Sequence, residues 1–364
     1  MPTKVPTRMP TRQPSPKPPS KWIERTVYGN WRSVASSSDG VKIVAVAVGW
    51  WNTTANLPGS IWTSTDSGAT WTERTAAGGR DWQSVASSSD GTMIVAAVTG
   101  PHGSIWTLTD SGATWTEETA AGPRWWRTVA SSSDGTKIVA AVYGGSIWTS
   151  SSMYGWAEQI PVGSRNWTAV ASSSDGTKVA AVVAGGSVWT GLQVSPLSGI
   201  FVWTERTNAG ARNWQSVASS ADGTKIAAAE YGGYIWISTD WGASWMERSA
   251  IGRHYYWAGV ALSSDGTKLV AVVYGGNIWT SSDLGATWAC SPELGTNFGQ
   301  RLHRHQMEIR SSRRWPPVKQ MLLFGRPRIL TPIHRHHGGP SVDLPNKNGF
   351  RSRRRRTELR SSPW

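Results

Sequence analysis

The run from Trp126 to Ser150, WRTVASSSDGTKIVAAVYGGSIWTS, recurs with small changes six times between Trp31 and Trp288. Its Ser-Asp-Gly steps place aspartates at 39, 90, 134, 175, 222 and 265, with spacings of 51, 44, 41, 47 and 43 residues. A unit of this length cannot bury its own apolar face, so the units must stack on one another. Four strand-like pieces per unit at a period in the forties predict an all-β chain folded as a β-propeller of four-stranded blades. Six blades are expected. Seven is the alternative, because Trp22-Ile23-Glu24-Arg25-Thr26 repeats a fourth-strand phrase ahead of any first strand.

In the third unit, Trp126 to Ser131 reads as the first strand and Ser133-Asp134-Gly135-Thr136 as a turn whose glycine accepts positive φ. Lys137 to Val142 reads as a second strand, apolar on both faces as a strand between neighbouring blades should be. Its alanines would let adjacent sheets approach. Tyr143-Gly144-Gly145 reads as a tight reversal, Ser146 to Ser150 as the third strand, and phrases such as Trp71 to Thr75 and Trp203 to Thr207 as fourth strands.

The third-to-fourth reversal of the first unit is Ser64-Thr65-Asp66-Ser67-Gly68-Ala69-Thr70-Trp71. The pattern Ser-x-Asp-x-Gly-x-x-Trp recurs at Ser238 to Trp245 and Ser281 to Trp288, and with leucine first at Leu108 to Trp115. A carboxylate accepting turn N–H groups, a glycine at positive φ and a covering tryptophan are turn chemistry. Asp66, Gly68, Trp71, Asp110, Gly112, Trp115, Asp240, Gly242, Trp245, Asp283, Gly285 and Trp288 are therefore assigned structural roles. Units three and four have lost the pattern.

With these motifs, residues 22–288 resemble the Asp-box (BNR) repeat propellers, a superfamily that includes sialidases, xyloglucan-cleaving glycosidases, sortilin-type receptors and photosystem II assembly factors. The resemblance implies a fold, not an activity. The Phe-Arg-Ile-Pro segment of sialidases has no counterpart here. The plain repeat chemistry is more similar to the assembly-factor-like arrays, whose members act by binding.

The net charge of +14 belongs to the ends. Residues 22–290 carry 16 basic and 19 acidic residues, a net of −3, whereas 1–21 contribute +5 and 291–364 contribute +12. Tryptophan is distributed the other way, with 23 of 25 between Trp22 and Trp288. Nucleic acid is thus not an expected partner of the propeller and is conceivable only for the basic tail. Residues 1–21 read as a Pro/Thr/Arg-rich disordered spacer, and 291–364 as an Arg/His-rich disordered tail or a mispredicted exon. No signal peptide or membrane span is visible, and an extracellular and a plastid location both stay open. Cys290 is the single cysteine, so no intrachain disulfide staples the ring.

In a four-stranded blade the first-to-second and third-to-fourth turns share one face, here called lower. The upper face collects the irregular segments, where function usually resides. Five arginines recur in its connections: Arg80, Arg124, Arg165, Arg212 and Arg253. One reading has them converge on a carboxylate, sulfate or acidic peptide; the other has each guanidinium stack on a tryptophan or pair with a glutamate. Trp50 and Trp51 stand on an insertion in the first unit and could stack on a sugar or a partner side chain. The carboxylates that break the repeat are Glu230, beside Tyr231, and Asp81, which makes them the weak catalytic candidates. The expectation is a monomeric, non-enzymatic binding or scaffold propeller recognising an acidic glycan or a protein, without cofactor or metal. A glycoside hydrolase and a photosystem II assembly-factor-like protein are the alternatives.

Overall fold

The computed structural model describes residues 30–49, 58–109, 114–151, 155–194, 199–251 and 255–291. Over these residues the chain is all-β, with 24 strands, four short 3-10 turns and no α-helix. The strands fall into six consecutive antiparallel units of four, each a meander from an inner to an outer strand. The inner strands are Asn30–Ser36, Trp82–Ser87, Trp126–Ser131, Arg165–Ser172, Arg212–Ser219 and Tyr255–Leu262. Trp22 to Thr26 lies outside the described residues, as do the two terminal segments.

Each unit is faced with tryptophan on one side and with valine, isoleucine and alanine on the other. In the third unit, Trp126 of the inner strand meets Trp148 edge-on at 6.2 Å and Trp156 at 6.1 Å. The small residue between them is Ala140, paired in register with Trp148. An indole on each flanking strand needs a methyl-sized neighbour on the strand between, so the alanines make room within their own sheet as well as between sheets. This tryptophan face packs on Val95, Ala97 and Ile105 of the preceding unit. The same head-to-tail contact joins units one to two, three to four, four to five and five to six. Fully burying residues of this size contributes roughly 1.5–3 kcal/mol each.

A second linkage ties the units at the lower face. Ser38 N–H donates to Ser89 O, Ser89 to Ser133, Ser133 to Ser174, Ser174 to Ala221 and Ala221 to Ser264, at 2.7 to 2.8 Å. Each Ser-Asp-Gly turn thus hydrogen-bonds the next. The belt joins neighbouring units through the backbone alone, without any side chain.

Several details differ from the strand-by-strand reading. The second strand of the third unit runs on from Lys137 to Gly145, because its upper end pairs with the next inner strand through Tyr143 and Asn166. The outer strand of the first unit is only Thr72–Glu73, and Thr75 opens a 3-10 turn, Thr75–Ala77, closed by Gly78 at φ 72°. Threonine 207 likewise opens the turn Thr207–Ala209. Where the Ser-x-Asp-x-Gly-x-x-Trp turn is lost, the outer strand lengthens: Gly155–Glu158 and Phe201–Arg206 against Met246–Arg248 and Ala289–Ser291.

Candidate functional site

The lower-face aspartates are built into turns. Asp66 accepts from Ser64 Oγ at 2.7 Å, Thr70 N at 2.8 Å and Thr70 Oγ1 at 2.6 Å, while Gly68 N donates to Ser64 Oγ at 2.8 Å. Trp71 Nε1 closes the turn on Gly68 O at 3.1 Å. Asp240 with Trp245 and Asp283 with Trp288 repeat this geometry. The hydroxyl of Thr70, then its N–H, holds the Asp66 carboxyl at about 2. Residues 67, 241 and 284 take φ of 54° to 58° beside glycines at 78° to 80°. Carboxylates that accept from three donors and are held low by them are poorly suited to take a proton at neutral pH. Asp110 and Gly112 lie outside the described residues; Trp115 is buried against Trp82.

On the upper face, the recurrent arginines share one arrangement. Each Nε donates to the carbonyl three residues back, in the 3-10 turn: Arg80 to Ala77, Arg124 to Ala121, Arg165 to Val162 and Arg212 to Ala209, at 2.8 to 3.1 Å. Each guanidinium lies over the third-strand tryptophan of its unit, Trp106, Trp148, Trp189 or Trp236, at 4.1 to 4.5 Å. The stacking alternative of the sequence reading thus describes their contacts within the chain. A stacked guanidinium keeps its terminal N–H edges for a ligand. Arg253, Trp50 and Trp51 lie outside the described residues.

Glu230 stands opposite Trp214, where four sibling units carry valine and the first carries Ala47. Its carboxylate pairs with Arg212 at 3.4 Å and accepts from Trp236 Nε1 at 3.4 Å. Tyr231 stacks on Tyr256, with ring centroids 4.9 Å apart, and burial raises its phenol above the usual value. Asp81 accepts from Gly49 N at 3.4 Å and lies within electrostatic reach of Arg32. Glu230 is therefore engaged by a cation and an indole of its own unit, whereas Tyr231 packs on Tyr256 of the sixth.

The sequence reading passed over three exposed aromatics and took a fourth, Tyr231, as a weak catalytic candidate. Trp125, Tyr143 and Tyr256 are more than half exposed, and Tyr231 is 36% exposed. All lie at the upper ends of inner or second strands, where Tyr143 N donates to Trp125 O and Tyr274 N to Tyr256 O. For Tyr143 and Tyr231 the signal was the tyrosine heading the Tyr-Gly-Gly step, which was read as turn punctuation. Among the described residues no group of three or more His, Cys, Asp or Glu is placed to hold a metal, and no helix is long and apolar enough to cross a membrane.

No protein-family model and no curated protein matches the chain. Solved structures do. The GH74 enzyme of Niastella koreensis superposes with a TM-score of 0.54 at 18% identity, over 71% of this chain and 46% of that one. YCF48 from Cyanidioschyzon merolae superposes with a TM-score of 0.55 at 17% identity, over 76% of this chain and 90% of that one. A structure of YCF48 bound to D1 peptide gives 0.54 at 18%, over 74% and 82%. The chain therefore spans less than half of the GH74 enzyme and most of YCF48. At these identities the likeness establishes the fold: this is a protein of the β-propeller class.

Proposed function

We propose that the chain is a binding propeller that takes a protein segment of acidic character on its upper face, without catalysing a reaction. The observation that carries this reading is the concentration of exposed Trp125, Tyr143, Tyr231 and Tyr256 on the face that also bears the stacked arginines. Exposed aromatics flanked by guanidiniums are the residue types that dominate protein recognition sites. The ladder of Arg80, Arg124, Arg165 and Arg212 offers N–H edges of one sign along that face, suited to carboxylates. A peptide partner is further favoured by YCF48, a propeller of similar extent that has been seen with a D1 peptide.

The test is an array of acidic, neutral and basic peptides beside a glycan array, probed with the full chain. Retention of acidic peptides is expected, with affinity falling by about tenfold in the double variant Tyr143→Ala, Tyr256→Ala at unchanged melting temperature. Binding to glycans alone, or turnover of a β-glucan or sialoside that Glu230→Gln abolishes, would replace this reading with the hydrolase one.

A further inference from the structure

The arginine two residues before the inner-strand tryptophan recurs in units two to five, as Arg80, Arg124, Arg165 and Arg212. Four copies of one arrangement can be compared with one another, and the copy in unit five differs. Arg212 lies 4.1 Å over Trp236, as its siblings lie over their own tryptophans, but a carboxylate stands beside it. Glu230 Oε2 is 3.4 Å from Arg212 Nη1 and 3.4 Å from Trp236 Nε1. The two charged side chains are 31% and 17% exposed, so the pair stands partly out of water. Among the described residues no carboxylate pairs with Arg80, Arg124 or Arg165.

One position makes the difference. The second-strand residue opposite the inner tryptophan is Val98, Val142 and Val183 in units two to four and Glu230 in unit five. The Glu230 carboxylate lies against the backbone at Gly233, where an added Cβ would overlap its Cδ and Oε2. In unit four Val183 takes that place, its Cγ1 2.8 Å from a Cβ built on Gly186. The valine leaves the guanidinium edge unpaired, whereas the glutamate supplies it with a carboxylate of the chain's own.

The neighbouring aromatics divide in the same way. At the junction of units three and four, Tyr143 stands opposite Asn166 and Gly145 opposite Arg165, with exposed Trp125 following Arg124. At the junction of units five and six, Tyr231 stands opposite Tyr256 and Gly233 opposite Tyr255, so a tyrosine takes the arginine's position. Tyr255 lies by Trp279 with ring centroids 5.7 Å apart. Among the described residues, the first junction is thus flanked by unpaired guanidiniums and the second by a paired one.

Given the acidic ligand proposed above, on which this reading rests, we propose that its carboxylates are held through Arg80, Arg124 and Arg165, and that Glu230 is an internal carboxylate that closes Arg212 to them. A ligand carboxylate at Arg212 would have to displace Glu230 and lie beside its charge, which like-charge repulsion opposes. Units two to four require no such exchange. The ligand's carboxylates are therefore aligned over three consecutive units, and the tyrosines between units five and six meet its uncharged side chains.

The test follows a fluorescein-labelled oligoglutamate peptide on the full chain by anisotropy, together with the arginine Nε–H resonances of the ¹⁵N-labelled protein. Glu230→Val gives unit five the residue of its siblings, and Val273 beside Gly276 in unit six shows that it fits. This variant is expected to bind the peptide about threefold more tightly, the worth of one added half-exposed ion pair. Glu73→Val, an equal change of charge on the exposed outer strand of unit one, should leave the affinity unchanged. Adding Arg212→Ala to Glu230→Val should return the affinity to that of the parent. In the parent, the peptide should shift the Nε–H signals of Arg124 and Arg165 and leave that of Arg212 in place; in Glu230→Val the Arg212 signal should move as well. An Arg212 signal that moves with the others in the parent overturns the proposal, as does an affinity unchanged by Glu230→Val or raised equally by Glu73→Val. If neither the parent nor Glu230→Val retains the peptide, the acidic-ligand reading falls and the role of Glu230 with it. If the parent binds and Glu230→Val gains nothing, only the role of Glu230 falls. Should the combination with Arg212→Ala fail to fold, the resonances of the parent and of Glu230→Val decide.

Discussion

At the scale of single residues, the carboxylates carry the clearest consequences. Asp66, Asp90, Asp222 and Asp283 are each held at about 2 by hydroxyl and N–H donors, first among them Thr70, Ser88, Ser220 and Thr287. A folded-state value below the unfolded one gives stability that is present above about pH 4 and lost as pH falls toward 2. The melting temperature is therefore expected to stay level from pH 7 to about 4.5 and then to drop as several protons are taken up, which calorimetry across that range measures. Asp283→Asn should flatten part of this acid limb and lower the neutral melting temperature by a few degrees. The arginines make a different prediction. Arg124 stacks on Trp148 at 4.2 Å and caps a 3-10 turn at 3.1 Å, so Arg124→Ala should cost about 1–2 kcal/mol in denaturant unfolding. A loss of that size without effect on anion or peptide binding would assign this arginine to packing alone.

At the scale of the strand, the unit is a sheet with one indole face and one aliphatic face, and its energy lies in the contact between unlike faces. Trp214 is fully buried and meets both Trp236 and Trp245 at 6.3 to 6.4 Å. Trp214→Ala would leave a cavity of indole size between two sheets and should destabilise the fold by about 3–5 kcal/mol. Much of this level was legible in the sequence: the Ser-Asp-Gly turns, the apolar second strands and the Ser-x-Asp-x-Gly-x-x-Trp reversals are all local chemistry. The 3-10 turns were not foreseen, although Thr-Ala-Ala-Gly at Thr75 and Thr119 signals a short turn ended by a glycine at positive φ. Their stabilising partner is an arginine that stacks on a tryptophan more than twenty residues away, which no local window contains.

For the molecule as a whole, the decisive place is the seam between the first and sixth units. The cluster of Trp31, Ala45, Ala47, Trp62 and Trp71 holds residues of the first unit only, among the described residues. The sixth unit offers the opposite kind of face, with Val270, Val272 and Ile278 on its second and third strands. Arg32 of the first unit and Tyr274 of the sixth lie within electrostatic reach of each other. A ring closed by these two faces predicts that Trp62→Ala costs about 3–5 kcal/mol, as much as Trp236→Ala at an internal contact. An open arc predicts less than about 1 kcal/mol for Trp62→Ala, so urea unfolding of the two variants distinguishes the forms.

By itself, the sequence determined the period, the strands within it and the turn role of the repeated aspartates, because each depends on residues within a few positions of one another. The tertiary structure alone decided that the upper arginines lie on tryptophans and that the lower turns bond one another. Those arrangements join residues more than twenty positions apart in one unit, or turns of different units, and only the tertiary structure brings them within reach.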